Sequence, residues 1–104
     1  MVTGLEIPAE IQVKVEVLKG VYIENPMLED SESCYTIASD RDIEKAVFTA
    51  VDAMAWVVEK KLGLSYEEAG ILLSAMGNLQ FCQVVDPKRT VRMEMKKTVL
   101  GSLF

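Results

Sequence analysis

Few residues in this 104-residue chain can carry acid-base, nucleophilic or metal chemistry. It contains no histidine and only two cysteines, Cys34 and Cys82, which lie far apart and show no CxxC spacing. Without histidine, Ser-His-Asp and Cys-His catalytic arrangements cannot form within the chain. A metal site would have to use carboxylate, thiolate or carbonyl ligands. We therefore expect no catalytic site and no metal site built from this chain alone.

The two cysteines are the candidate nucleophiles. A thiolate at Cys82 could act if a cation and a base lay beside it. Cys82 is flanked by Phe81 and Gln83 in a run of strand-forming residues. A cysteine at such a position is usually a small buried apolar residue. We therefore expect both Cys82 and Cys34 to be buried and unreactive.

Two further groups of residues have a functional and a structural interpretation. The acidic run Glu29–Glu32 could hold a hard cation, but it lacks the glycine and the spaced glutamate of a calcium loop, which favours a solvated loop. Phe48, Met54 and Trp56 recur at helical spacing and could line a groove, although packing is the expectation for such residues.

Gln83 and Asp86 are the polar residues that ordinary packing explains least well. If Leu79 and Phe81 face the core, alternation carries Gln83 to the same face, where its amide needs hydrogen-bond partners. Asp86 precedes a proline and can bond the backbone two residues on, so a turn explains it without a further role. Gln83 is the stronger candidate of the two.

The elements that would position these residues begin with extended segments. From Leu5 to Val17 the odd positions are apolar and the even ones largely polar, which predicts a half-buried strand. Val21–Ile23 continues as a short strand, Met27–Ser33 is interpreted as an acidic loop, and Cys34–Ala38 is interpreted as a further strand.

Two helices should follow. Ser39 and Asp40 offer capping oxygens at the start of the first helix, which an apolar stripe carries to a left-handed cap at Gly63. Ser65-x-x-Glu68 matches a capping box, and the second helix is expected to end at Gly77. The short link between the helices predicts a helical hairpin.

Two strands complete the predicted fold. Leu79–Val85 is extended in character, Asp86-Pro87 fits a type I turn, and Thr90–Lys96 alternates clearly. The order β-β-β-α-α-β-β predicts an α+β fold in which a two-helix hairpin packs on a largely antiparallel sheet. The length predicts a single domain spanning residues 1–104.

The charge balance disfavours several classes of partner. The formal net charge is -5, so the chain should repel nucleic-acid phosphates and anionic lipid. Residues 1–8 do not resemble a signal peptide, and the most apolar short run is six residues, far below the roughly 20 needed to cross a bilayer. We expect a cytoplasmic protein that binds neither nucleic acid nor membrane.

The run from Gly77 to Pro87 resembles the glycine, Asp-or-Asn, then Gln-Val-Val-Asp-Pro segment near the end of acetamidase/formamidase family sequences. Three other stretches match in the same order, and the resemblance spans residues 2 to about 97. These stretches are Thr3–Glu6, Asp40–Ala46 and Tyr66–Ala69 with the following Leu72–Ser74. Gly4 stands where an alanine would be expected.

The resemblance implies hydrolysis of short linear amides, such as formamide and acetamide, to ammonia and a carboxylate. Family sequences are about three times as long, and their Gly-Asp-x-His and Gly-Asp-Gly-Glu segments precede the position of Thr3. This chain would then be the C-terminal portion of such an enzyme, with no catalytic residue and no cofactor of its own. A divalent metal in the complete enzyme stays open. Glu6, Gln83 and Asp86 carry over as site-adjacent candidates for substrate binding.

Two functions remain in view at the level of sequence. One is an inactive fragment of a linear-amide hydrolase, and the other is a non-catalytic binding or oligomerisation module that reuses the same fold. Exposed strand edges and apolar faces also predict self-association, as a homodimer that exchanges or pairs extended segments.

Overall fold

A computed structural model describes residues 2–104. These residues form four strands and three helices, in the order β1 (Met27–Glu29), β2 (Ser33–Asp40), α1 (Ile43–Leu62), α2 (Tyr66–Met76), β3 (Asn78–Gln83), β4 (Arg89–Lys96) and α3 (Lys97–Leu100). The predicted α+β class with an antiparallel sheet is confirmed. None of the helices in residues 2–104 is long and apolar enough to cross a membrane.

The sheet has the strand order β1-β2-β4-β3, and each pair of neighbouring strands in it is antiparallel. The long strands β2 and β4 lie at its centre, with Thr36 opposite Met93 and Tyr35 opposite Glu94. Because side chains alternate along a strand, these two pairs point to opposite faces of the sheet. One face carries the helices, and the other carries polar side chains.

The core lies between the sheet and α1. Val91, Met93 and Met95 of β4 are buried there with Cys34 and Ala38 of β2. Small residues on α1, among them Ala46 and Ala50, let the helix approach the sheet closely. The approach is fixed by a hydrogen bond of 2.6 Å from Thr36 Oγ1 to the Ala50 carbonyl.

The helix ends follow the predicted capping chemistry with one shift. Helix α1 begins at Ile43 with Asp42 as its cap, two residues after the predicted cap, because Ser39 and Asp40 pair with Thr90 and Arg89 in the sheet. Gly63 takes the left-handed conformation expected of it, with φ of 67°. The capping box of Ser65 and Glu68 is confirmed, as is the end of α2 at Gly77.

The prediction of a half-buried strand from Leu5 to Val17 is wrong. Residues 5–17 pair with no strand in the described chain, and their apolar side chains are exposed. Alternation indicates a half-buried strand only when a neighbour accepts the backbone hydrogen bonds and covers the apolar face. No such neighbour exists within residues 2–104, so the pattern is present without the pairing.

The short strands also differ from expectation. Val21–Ile23 is not a strand, whereas Met27–Glu29, predicted as loop, pairs with Cys34–Thr36 as β1. A tight connection explains the pairing, because Asp30 Oδ1 accepts hydrogen bonds from the backbone N–H groups of Glu32 and Ser33, both at 2.8 Å. The segment at Asp86-Pro87 is a bend between β3 and β4.

Candidate functional site

The structure brings two of the three candidate residues together. Gln83 Nε2 donates a hydrogen bond to Asp86 Oδ2 at the connection between β3 and β4. Both side chains are exposed. Glu6 lies elsewhere, in the unpaired segment before β1. The amide of Gln83 therefore has a local partner, and its role as a site-adjacent residue stays a prediction.

The expected burial of Cys82 is wrong. The register of β3 on β4 shifts between Phe81 and Gln83, so Cys82 is the extra residue of a β-bulge and is exposed. The bulge also breaks the alternation, because Phe81 pairs with Val91 on the helix face whereas Gln83 pairs with Thr90 on the polar face. Gln83 therefore does not follow Leu79 and Phe81 to one face.

Cys34 is buried as expected. Its side chain is fully covered, and its Sγ donates to the Gly101 carbonyl at 3.4 Å. Burial raises the pKa of the Cys34 thiol, and the negative charge of Glu29 adds to that rise. A thiol in this state is a poor nucleophile at neutral pH.

The acidic run at residues 29–32 is occupied by donors from the protein. Glu29 forms an ion pair with Lys97 and accepts a hydrogen bond of 2.8 Å from the backbone N–H of Leu103. Asp30 accepts from two backbone N–H groups and from the Tyr35 hydroxyl. These contacts lower the pKa of both carboxyl groups.

The best-organised polar cluster was not found by sequence reasoning. It is centred on Glu94 in the middle of β4, on the sheet face opposite the helices, where the residue is only 6% exposed. Glu94 Oε1 accepts from Ser33 Oγ at 2.6 Å, and Oε2 accepts from Asn78 Nδ2 and Gln80 Nε2, both at 2.8 Å. Lys96 completes the set, with its Nζ at 3.1 Å from Oε1.

Three strands converge on this carboxylate because of their register. Tyr35 of β2 and Asn78 of β3 both lie directly opposite Glu94, and Ser33 and Gln80 are their neighbours two residues along each strand. Alternation places all of these side chains on one face. One sequence signal could have indicated this cluster: Glu94 occupies a central strand position between the polar positions Arg92 and Lys96.

A second set of contacts extends from this carboxylate through Gln80. Arg92 Nε donates to Gln80 Oε1 at 2.6 Å, so one amide side chain links Arg92 to Glu94. The guanidinium of Arg92 also lies over the Tyr35 ring, 4.4 Å from its centroid, a favourable cation–π arrangement. Tyr35 in turn donates to Asp30 Oδ2 at 2.8 Å. We call these eight residues the Glu94 cluster: Asp30, Ser33, Tyr35, Asn78, Gln80, Arg92, Glu94 and Lys96.

The electrostatics of the cluster keep Glu94 ionised. The hydrogen bond from Ser33, followed by those from Asn78 and Lys96, lowers its pKa from 4.5 to about 2. The pKa of Lys96 is raised, chiefly by its hydrogen bond to Glu94. The hydrogen bond to Asp30 raises the pKa of the Tyr35 hydroxyl. At neutral pH Glu94 therefore acts as a fixed negative charge that orients Asn78 and Gln80, and it has no proton to donate.

The donor set does not fit a divalent metal. Within residues 2–104 no three side chains among His, Cys, Asp and Glu come together in a way that could hold an ion. Both oxygens of Glu94 already accept hydrogen bonds from amide, hydroxyl and ammonium donors. We therefore derive no metal-assisted step from this chain.

The methionine and aromatic positions predicted to pack along α1 divide between the core and the surface. Met54 is fully buried, as expected, whereas Phe48 and Trp56 are exposed. Trp56 lines an open cleft between α1 and the connection before β1, together with Tyr22, Glu24, Asn25 and Asp52. The cleft lies on the far side of the sheet from the Glu94 cluster.

Comparisons with solved structures identify similar chains. A recombinant predicted acetamidase/formamidase from Thermoanaerobacter tengcongensis is 41% identical, with a TM-score of 0.76 over 82% of this chain and 28% of that one. An acetamidase from Bacillus halodurans is 35% identical, with a TM-score of 0.69 over 74% and 27% of the two chains. An acetamidase from Yersinia enterocolitica is 28% identical, with a TM-score of 0.76 over 82% and 26%.

The chain spans little more than a quarter of the length of these structures. No family model and no curated protein matches it. Two of the matches are 41% and 35% identical over most of this chain, so they share sequence as well as fold with it. The predicted resemblance to the acetamidase/formamidase family is therefore confirmed for the portion of those proteins that this chain covers.

Proposed function

We propose that this chain is a portion of an amide hydrolase of the acetamidase/formamidase type. The reaction adds water to a short linear amide such as formamide or acetamide and gives ammonia and the carboxylate. The observation that carries the proposal is the 41% identity to the Thermoanaerobacter tengcongensis protein, with a TM-score of 0.76, over 82% of this chain. The setting we propose is the cytoplasm, with no nucleic-acid or membrane partner.

The role we assign to this portion is structural support of the site. The Glu94 cluster holds amide and guanidinium side chains in fixed positions on one face of the sheet. Such preorganised polar faces position a neighbouring site without entering the chemistry themselves. Gln83 and Asp86 lie at the β3–β4 end of the same sheet and stay our site-adjacent candidates. Glu6 joins them only if the segment before β1 folds against this end.

We further propose that the chain by itself does not hydrolyse amides. It has no histidine, and burial raises the pKa of the Cys34 thiol. Its best-placed carboxylate is saturated by donors, so it cannot serve as a general base. Ammonia release from formamide or acetamide should equal the uncatalysed rate. Turnover that co-purifies with the chain and is lost in Cys82→Ala would contradict this expectation.

A domain replacement tests the family assignment itself. The matching portion of the Bacillus halodurans acetamidase is exchanged for this chain, and ammonia release from acetamide is compared with that of the intact parent. We expect the chimera to retain turnover. A chimera that melts cooperatively at a temperature near that of the parent, yet releases no ammonia, would overturn the assignment.

One observation favours the second candidate, a binding or oligomerisation module. The apolar side chains between residues 5 and 17 are exposed, which is unusual for a soluble monomer. We propose that the isolated chain forms a homodimer in which such segments are exchanged or paired. This self-association is compatible with either function, because it follows from the surface and not from catalysis.

A further inference from the structure

A series of hydrogen bonds within the Glu94 cluster leads from a buried charge to Arg92. Glu94 Oε2 accepts a hydrogen bond of 2.8 Å from Gln80 Nε2, and Gln80 Oε1 accepts one of 2.6 Å from Arg92 Nε. An ionised carboxylate only accepts hydrogen bonds, so Glu94 determines which end of the Gln80 amide faces it. The amide oxygen therefore faces Arg92 and orients its guanidinium.

Arg92 is also held from a second direction. Its guanidinium lies 4.4 Å from the centroid of the Tyr35 ring. Tyr35 is itself buried, and its hydroxyl donates to Asp30 Oδ2 at 2.8 Å. Asp30 accepts in turn from the backbone N–H groups of Glu32 and Ser33. One hydrogen bond and one aromatic ring, each with its own support, therefore set the position of the guanidinium.

The charge of Arg92 has no carboxylate partner within residues 2–104. Both carboxylates of the cluster, Glu94 and Asp30, already accept hydrogen bonds from other groups. Lys96, the other cation of the cluster, pairs with Glu94 and Glu32. In the described chain the hydrogen bond of Arg92 leaves from Nε, so the N–H groups on Nη1 and Nη2 can donate to a further acceptor.

The end of the guanidinium selects the shape of that acceptor. Because Gln80 uses Nε, the side-on pair of Nε and one Nη is taken, which leaves the end-on pair Nη1 and Nη2. These two nitrogens form a planar fork that matches the two oxygens of a carboxylate. Charge favours a monoanion, since Asp30 and Glu94 balance Arg92 and Lys96 and the whole chain carries -5. A phosphate dianion would meet more repulsion.

We propose that Arg92 is a carboxylate-binding site on the polar face of the sheet, and that the rest of the Glu94 cluster holds it in place. The inference deepens the proposed amide hydrolase function and rests on it for the source of the carboxylate. That source is the acid product of amide hydrolysis or an Asp or Glu side chain in the remainder of the complete enzyme. Both present the same planar group. A guanidinium held in advance loses less side-chain entropy on binding than a free one.

An NMR titration of the isolated chain with sodium acetate tests the site without any enzyme activity. The side-chain Nε and Cζ signals of Arg92 are compared with those of Arg89, an exposed arginine whose Nη1 donates to the carbonyls of Arg41 and Pro87 at 3.3 and 3.4 Å. We expect acetate to shift the Arg92 signals saturably and to leave those of Arg89 in place. Equal shifts at both arginines, or the same shift with sodium chloride, would overturn the proposal.

Three variants distinguish a built site from a lone charge. Gln80→Leu removes the acceptor that orients Arg92, so the dissociation constant for acetate should rise about three- to tenfold, the usual effect of losing one hydrogen bond. Arg92→Lys keeps the charge without the fork and should abolish the saturable shift, followed at the Gln80 side-chain amide. Arg89→Lys is the matched control and should change neither result.

An unchanged acetate affinity in Gln80→Leu would contradict the supporting role of the cluster. Thermal melting shows whether each variant is folded. The wild-type titration decides on the site by itself if Gln80→Leu does not fold.

The chimera described above distinguishes the two sources of the carboxylate. If the source is the acid product, Arg92→Lys in the chimera should raise the inhibition constant of acetate about tenfold and leave the melting temperature unchanged. If the source is a side chain of the complete enzyme, Arg92→Lys should lower the melting temperature and leave acetate inhibition unchanged. A variant chimera that matches its parent in both measurements would overturn the proposal.

The carboxylate site and the amide hydrolase function fail separately. A wild-type chimera that folds yet releases no ammonia would overturn the function, and the acetate titration of the isolated chain would then decide on Arg92. An active chimera, together with no saturable shift and no effect of Arg92→Lys, would keep the function and overturn the carboxylate site.

Discussion

At the scale of single residues, Glu94 shows how a charge becomes buried on a sheet. Its carboxylate lies on the polar face, where it is covered by the side chains that donate to it and not by a second layer of protein. Each donor compensates part of the free energy lost when the carboxylate leaves water. Removing the acceptor would leave several partly buried donors without a partner.

Glu94 should make the stability of the fold depend on acidity. Because its pKa is about 2 in the folded protein and near 4.5 in the unfolded chain, its contribution is complete above about pH 5 and is lost as the pH falls towards about 2. The full shift corresponds to roughly 3 kcal/mol, but nearby solvent screens the charge, so we expect about 1–2 kcal/mol. Urea unfolding monitored between these pH values measures it.

The control for this prediction is Glu94→Gln, which keeps the size of the side chain but cannot titrate. The variant should be less stable than the wild type at pH 7 and should lose much of the decline in stability at acid pH. Part of the decline should remain, since the pKa values of Glu29 and Asp30 are lowered too. An unchanged acid profile would show that the carboxylate contributes nothing to stability.

At the scale of elements, the junction between α2 and β3 leaves no space for a side chain. A Cβ on Gly77 would contact Met93 Cε and would lie 2.6 Å from the Leu73 carbonyl oxygen. Gly77 has φ of -74°, so its need for glycine comes from this close approach and not from its backbone angle. The junction sets where β3 begins and therefore which of its residues reach Glu94.

Gly77→Ala should consequently destabilise the protein by about 1–3 kcal/mol, the usual cost of inserting a methyl group into a packed site. Gly70→Ala is the matched control, because Gly70 lies inside α2 with open space around its Cβ position. It should stabilise the protein by up to about 1 kcal/mol through helix propensity. Thermal melting of both variants gives the comparison, and equal melting temperatures would contradict the steric account.

At the scale of the whole molecule, helices cover one face of the sheet, whereas the outer edge of β3 is not covered. The helices cover the buried residues of β2 and β4, whereas Leu79 and Phe81 of β3 remain exposed. An uncovered edge of this kind invites pairing with another strand. The assembly state should therefore govern the stability of the chain as strongly as any internal contact.

The apparent melting temperature should consequently rise with protein concentration. Only folded chains dimerise, so dimerisation stabilises the folded state by mass action. Salt should act in the same direction. Each copy carries a formal charge of -5, and raising the ionic strength from about 0.01 M to 0.15 M shortens the screening length from about 30 Å to 8 Å. Scanning calorimetry over a hundredfold range of concentration tests this, and a constant melting temperature would refute it.

Local sequence signals predicted much of the fold. The capping box of Ser65 and Glu68, the left-handed Gly63 and the alternating Thr90–Lys96 all act within a few residues of chain, so each appears in the structure as expected. The resemblance at Gly77–Pro87 likewise predicted the similarity to part of the acetamidase/formamidase structures that the comparisons confirm. These features depend on short-range hydrogen bonding, backbone geometry and motif identity.

The tertiary structure alone decided the rest. The alternation of residues 5–17 could not reveal that no neighbour pairs with it, because pairing depends on a second segment far away in sequence. The bulge at Cys82 and the meeting of Ser33, Asn78 and Gln80 at Glu94 both follow from the register of three strands. Register is a property of the assembled sheet, which explains why the sequence determined the helices and the central strands, whereas only the fold determined the outer pairings and the contacts of Glu94.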